Sequence, residues 1–167
     1  MLIPFFDQVY RVEPDTILSS QGHRPTDAVA QLLRRYLLAC PSVPEPEAAL
    51  ITFRELAGAG PLVSSFVGNT NKLITSAFAS HIQALERACL QFKGRVRLNQ
   101  AGYDLHAQFQ ALPGIFLQLQ FNATDEQFPA QCSLLFNPSA GRCLDMHDLF
   151  ILGTYLAGGL VGAGDAR

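Results

Sequence analysis

The residues best equipped for chemistry in this sequence are two adjacent carboxylates, Asp125 and Glu126. A carboxylate pair performs acid–base work when its surroundings drive the two pKa values apart. These two stand in a polar turn between strand-like segments, where neighbouring side chains point away from one another. Solvated turn residues are therefore the first expectation, ligand contact the second, and acid–base catalysis an alternative. His106 is the other candidate. It shares the polar side of an alternating segment with Asp104 and Gln108, and Gln118 and Gln120 occupy the matching side of the next segment. Together these side chains would form a wet platform able to hold a polar ligand.

Other constellations fall short. Cys143 and His147 have the i, i+4 spacing of helical metal ligands. Yet Cys143 precedes the helix cap, and further ligands are lacking unless Cys132 turns towards the pair. No C-x-x-C unit exists among Cys40, Cys89, Cys132 and Cys143, so the usual zinc and iron–sulfur frameworks are missing. Cys40 and Cys89 stand in apolar company and read as buried free thiols. Ser64 and Ser65 lack a G-x-S-x-G frame. The glycines at 58, 60, 158, 159 and 162 match neither a phosphate-binding loop nor a dinucleotide fingerprint. No catalytic residue, metal ligand or cofactor is assigned.

These residues must be positioned by a chain of 167 residues, 49% hydrophobic and only 16% charged. That length supports one core without covalent staples. A typical domain is about 25% charged, so the low value points to apolar surface covered by a partner or a second copy. The net charge is −2, and the nearest basic clusters are Arg34-Arg35 and the group Lys93, Arg95 and Arg97. Nucleic acid is not an expected partner. Met1-Leu2-Ile3-Pro4 has no basic leader, and free thiols fit a reducing cytoplasm. Residues 149–164 carry no charge, and Gly158 and Gly162 stand in G-x-x-x-G spacing. The run falls short of the ~20 residues that span a bilayer. A packed C-terminal helix with a loose glycine tail is expected instead.

Along the chain, residues 3–12 are rich in β-formers, and residues 15–20 read as the return strand of a hairpin. Thr26 or Asp27 caps a helix over residues 28–40, whose Val29, Leu32, Leu33, Tyr36, Leu37 and Cys40 form one stripe. Arg34 and Arg35 lie off it as solvated cover. The prolines of segment 41–46 end the helix. Residues 49–56 make a short strand, and residues 69–92 two helical pieces joined near Ala79-Ser80. In the second piece Ile82, Leu85, Cys89 and Phe92 share a face, with Gly94 as the C′ residue. Residues 103–110 and 115–121 alternate strictly across a Leu112-Pro113-Gly114 turn, and residues 130–136 form a third strand. Period-2 alternation with a glutamine-rich side means one packed face and one wet face. Asp145 caps the last helix, with Asp148 at N3.

Several of these blocks resemble one family in order. They are Tyr36-Leu37-Leu38, Ile51-Thr-Phe-Arg-Glu-Leu56, Leu112-Pro-Gly, Asp125-Glu-Gln-Phe-Pro-Ala130, Leu135-Phe-Asn-Pro-Ser-Ala140, Leu144 and Asp148-Leu149. The chain is similar in them to the family called domain of unknown function 3786, from about residue 25 to residue 160. Asn137 stands where that family usually has aspartate, and Cys143 where a large apolar residue is common. The cysteine-rich, iron–sulfur-like segment of some relatives is missing. The resemblance implies an anaerobe-like bacterial or archaeal setting, sometimes near corrinoid or iron–sulfur metabolism, and no particular activity. It nominates Arg54 and Glu55 from one motif and Asp125 and Glu126 from another. Joined in space, they would form a buried ionic lock or line a polar pocket.

The expected architecture is α+β, an antiparallel sheet of roughly five strands with helices packed mainly on one face. A single domain over residues 1–160 would be followed by a flexible glycine-rich tail, 161–167. The expected function is a non-catalytic accessory or binding module for a small ligand or a metabolic protein partner. The alternatives are an enzyme using the Asp125-Glu126 turn and a structural homodimer joined through the apolar C-terminal run.

Overall fold

In the computed structural model, which describes residues 1–40, 42 and 49–165, the β-rich opening does not run as one strand. It divides into β1 (Leu2–Phe5) and β2 (Gln8–Val12), and β3 (Ile17–Ser19) completes a three-stranded antiparallel sheet. Phe6, at φ 50°, reverses the chain between the first two strands. Its N–H donates to the carbonyl of Ala111 at 3.1 Å, so the tip of this hairpin docks on the larger sheet.

That larger sheet is antiparallel and has five strands: β4 (Ile51–Thr52), β5 (Arg95–Gln100), β6 (Tyr103–Leu112), β7 (Ile115–Asn122) and β8 (Gln131–Phe136). Their order is β4-β8-β7-β6-β5. The alternation read in the sequence is real. Leu105, Ala107, Phe109, Ala111, Ile115, Leu117, Leu119 and Phe121 are all buried on one face. The edges differ from expectation. Strand β4 keeps two residues, because Thr52 starts a 3-10 turn over Phe53–Glu55 and Glu55 caps it by accepting from the Thr52 N–H at 2.7 Å. Strand β5 was hidden in the sequence, where Arg95 and Arg97 read as a basic cluster rather than as one face of a strand.

The helices are α1 (Asp27–Ala39), α2 (Val63–Asn69), α3 (Asn71–Phe78), α4 (Ile82–Gln91), α5 (Ala140–Cys143) and α6 (Met146–Asp165). Thr26 caps α1, accepting from the Val29 N–H, and the stripe Val29, Leu32, Leu33 and Tyr36 is buried as expected. The segment expected to end α1 lies, residue 42 apart, outside the described residues. At the end of α4 the left-handed residue is Lys93, φ 57°, and not Gly94. The Gly94 N–H closes the turn on the Cys89 carbonyl at 2.8 Å. Its bare α-carbon lies against Phe109, where an added Cβ would come within 2.6 Å of the ring.

Helix α6 corrects two expectations. Asp145 caps it, accepting from the Asp148 N–H at 2.9 Å, as the sequence suggested. However, Asp148 is only 1% exposed, and both of its oxygens accept from the Arg35 guanidinium, at 2.9 and 3.0 Å from Nε. Arg35 is therefore an ion-pair partner and not solvated cover. The helix also continues to Asp165, so residues 161–165 are no loose tail. Gly153, Gly159 and Gly164 are contact points for the rings of Phe66, Phe92 and Phe78, which fill the space a side chain would take. By length and composition α6 could cross a membrane. Here Leu149, Leu152, Leu156 and Leu160 are buried inside the fold.

The cysteines are the third correction. Cys40 and Cys143 form a disulfide, because the end of α1 and the short α5 lie side by side with their α-carbons 4.9 Å apart. Cys89 and Cys132 are free. Cys143 and His147, on separate helices, share no ligand geometry.

Two variants probe this packing. Arg35→Ala leaves the Asp148 carboxylate buried without its cation. Removing one partner of a buried pair costs ~3–5 kcal/mol, and the half-exposed Arg35 side admits water, so about 2–3 kcal/mol is expected in urea unfolding; an unchanged midpoint would refute the lock. Gly94→Ala drives a methyl into Phe109 and should cost about 1–3 kcal/mol, read as a lowered Tm.

Candidate functional site

The pairing register places side chains from all five strands on the face opposite the core. One row across it is Arg95, Gln108, Gln118, Leu135 and Thr52, and the next is Arg97, His106, Gln120 and Ser133. Gln110 and Phe116 form a shorter row beyond. None of these residues is buried, whereas their alternates across β6 and β7 are. The reason is elementary: strand residues alternate sides, and this sheet packs its apolar side against helices.

At the β5 side of this face the exposed charge is cationic. Lys93, Arg95 and Arg97 are exposed and make no ion pair with any described carboxylate. Arg97 stands directly across from His106. Partial burial, and then the charge of Arg97, lower the His106 pKa, so its imidazole is neutral near pH 7. The glutamine amides alongside can both donate and accept. Asp104, expected on the wet platform, is otherwise engaged: its carboxylate accepts from the Ala123 N–H at 2.8 Å.

At the β6–β7 turn the face runs into a cavity of about 190 Å³, lined by Phe6, Phe92, Lys93, Arg95, Gln108, Gln110 and Phe116. A register shift between Gln110 and Leu112 marks a bulge beside it. Its floor is held by a polar lock. Asn137, 1% exposed, accepts from the Phe116 N–H at 2.8 Å and donates to the Gly114 carbonyl at 3.0 Å and to Ser139 Oγ at 2.6 Å. The Tyr36 hydroxyl donates to the Pro113 carbonyl at 2.9 Å. Asn137 thus pins the turn carrying Phe116. A larger cavity, about 490 Å³, lies between α3, α4 and the end of α6. It mixes His81 and Arg87 with Asp165, so its charges are opposed.

The other nominated residues are not brought together. Asp125 is exposed and serves its own turn, accepting from the N–H groups of Gln127 at 2.8 Å and Phe128 at 2.7 Å. Those bonds, the one from Phe128 foremost, lower its pKa, the opposite of what a general acid at neutral pH requires. Glu126 is exposed beside it. Glu55 is the exposed cap of the Thr52 turn, and the hydrogen bonds from Thr52 lower its pKa. Arg54, also exposed, borders a shallow cavity with Phe66 and Ser133. It lies by the C-terminal end of β8, while Asp125 precedes the N-terminal end. The expected lock between the two motifs is absent among the described residues. The buried ion pair is Arg35–Asp148.

Of the five nominated residues, His106 alone belongs to the open face. Arg95 and Arg97 were missed as site residues, although their alternation with Val96 and Leu98 is the period of a strand.

The depressed His106 pKa has a testable sign. In the unfolded chain histidine titrates near ~6.5, so on acidification the unfolded state takes up this proton first. The contribution of His106 to stability is complete above about pH 6.5 and is lost as pH falls through the lower folded value. Comparing urea midpoints at pH 5 and pH 7.5, His106→Gln should flatten the acid loss; equal slopes would contradict the assignment.

No curated protein and no solved structure matches the chain. A family model does. The model described as domain of unknown function (DUF3786) matches residues 1–158 of the 167 residues, and the chain belongs to that family.

Proposed function

We propose that this chain is a non-catalytic binding module whose open sheet face takes a small anionic ligand. One observation carries the reading: three cations, Lys93, Arg95 and Arg97, share an exposed face without a described carboxylate partner. In a chain of net charge −2, that is local segregation of positive charge. Guanidinium groups bind carboxylate and phosphate oxygens through charge-assisted hydrogen bonds. The glutamines and His106 add neutral donors around them. Strands hold such groups more firmly than loops do. The acid–base alternative at Asp125 and Glu126 has less support, since both are exposed and Asp125 already caps its turn.

Sulfate is a suitable probe, because its charge is constant over the relevant pH range. Titrated by NMR, it should shift the amides of residues 95–97, 106 and 118–120, more weakly as salt rises. Arg97→Gln should weaken the affinity about tenfold, the scale of one charged hydrogen bond. Affinity should rise as pH falls through the lowered His106 pKa and its imidazole gains a proton, and Asp125→Asn should behave as the parent chain. Absence of saturable shifts on this face would refute the proposal.

A further inference from the structure

We infer that the cavity beside the β6–β7 turn is a subsite for a single-ring aromatic carboxylate, its ring between Phe6, Phe92 and Phe116 and its carboxylate at Lys93 and Arg95. The inference rests on the reading of the sheet face as an anion site and gives that site a ligand class.

Four observations converge. The lining is divided by chemistry: three phenyl rings, two amides and two cations, with no acidic residue. The cations are exposed and stand at the mouth, whereas Phe6 is buried and forms the back. A flat apolar body would therefore enter first, leaving its charge beside Lys93 and Arg95.

The walls are also fixed in advance. Phe6 stacks on Tyr155 with centroids 5.4 Å apart and meets Phe92 edge-on at 6.2 Å. Phe116 is tethered through its N–H to buried Asn137. Edge and face contacts of this kind are the geometry aromatic rings prefer, so a third ring would enter a prepared slot.

Phe6 and Lys93 are both non-glycine residues in the left-handed region, at φ 50° and φ 57°. One turns the β1–β2 hairpin and the other ends α4, and both line this one cavity. Such backbone costs free energy and concentrates at ligand sites. The β6 bulge lies at the same place, and bulges often re-aim side chains beside binding sites.

Finally, Phe116 is a half-buried ring whose neighbours on this face, Gln108, Gln110 and Gln118, are all polar. Core packing does not require it, because its neighbours Ile115 and Leu117 already point into the core. A volume of about 190 Å³ equals roughly six waters at ~30 Å³ each, a fit for one ring and its substituent.

The test titrates the full chain with benzoate, acetate and benzyl alcohol by NMR, with sulfate as a separate arm. Benzoate should bind about tenfold or more tighter than acetate, from burial of one ring, and tighter than benzyl alcohol. Phe116→Ala should bring benzoate to within about twofold of acetate while sulfate binding stays as in the parent chain. Arg95→Gln should reduce benzoate towards benzyl alcohol. If sulfate binds and benzoate is no tighter than acetate, or Phe116→Ala leaves benzoate unchanged, the subsite is overturned and the platform stands. If no anion binds, sulfate included, both fall.

Discussion

A carboxylate buried at the start of the central apolar helix is the constraint around which the rest of this fold is arranged. Asp148 is 1% exposed, and an unpaired charge in that position would cost several kcal/mol. Arg35 meets it with a forked guanidinium contact, which ties α1 to the first turn of α6. Five residues on, just past the end of α1, Cys40 is bonded to Cys143 on α5. The same two regions of chain, far apart in sequence, are thus joined twice. With its N-terminus held, α6 can lie across the sheet and receive α2, α3 and α4 along its length.

That arrangement explains how a helix so rich in glycine stays ordered. Gly153, Gly159 and Gly164 each leave room for a phenyl ring from a different helix or helix end: Phe66, Phe92 and Phe78. Glycine weakens an isolated helix. Here the loss is offset by aromatic area that a larger residue would exclude. Because α3, α4 and α6 gather on one side, the opposite side of the sheet has no such cover among the described residues. The openness of the platform and the burial of α6 are two results of one packing choice.

The open face inherits its geometry from elements behind and beside it. Asn137 fixes the backbone of Phe116 through one hydrogen bond and the Pro113-Gly114 turn through another. Gly94 lets the end of α4 close onto Phe109, which sets where β5 begins and so where Lys93, Arg95 and Arg97 stand. Phe92 contributes to both regions, since it packs against Gly159 of α6 and also walls the small cavity.

The sequence by itself determined the period-2 strands β6, β7 and β8, the cap Asp145, a cap at Thr26 or Asp27, the stripe of α1 and the wet side bearing His106. Each of these depends on residues within a few positions of one another, where backbone sterics and hydrogen bonding leave few choices. The family was legible as well, from motifs that follow one another in order. What the tertiary structure decided is every relation across long separations: Arg35 with Asp148, Cys40 with Cys143, aromatic rings on α6 glycines, and the placement of Arg95 and Arg97 beside His106. Local pattern could not distinguish Arg35 from solvated cover, because an ion pair with a residue 113 positions away has no local signature. Nor could it show that Asp125 and Glu55 cap their own turns, since a carboxylate that does so looks the same in sequence as one awaiting a partner. The physical reason is that pairing energies between distant groups exist only once the chain has folded, while turn and strand preferences act before it does.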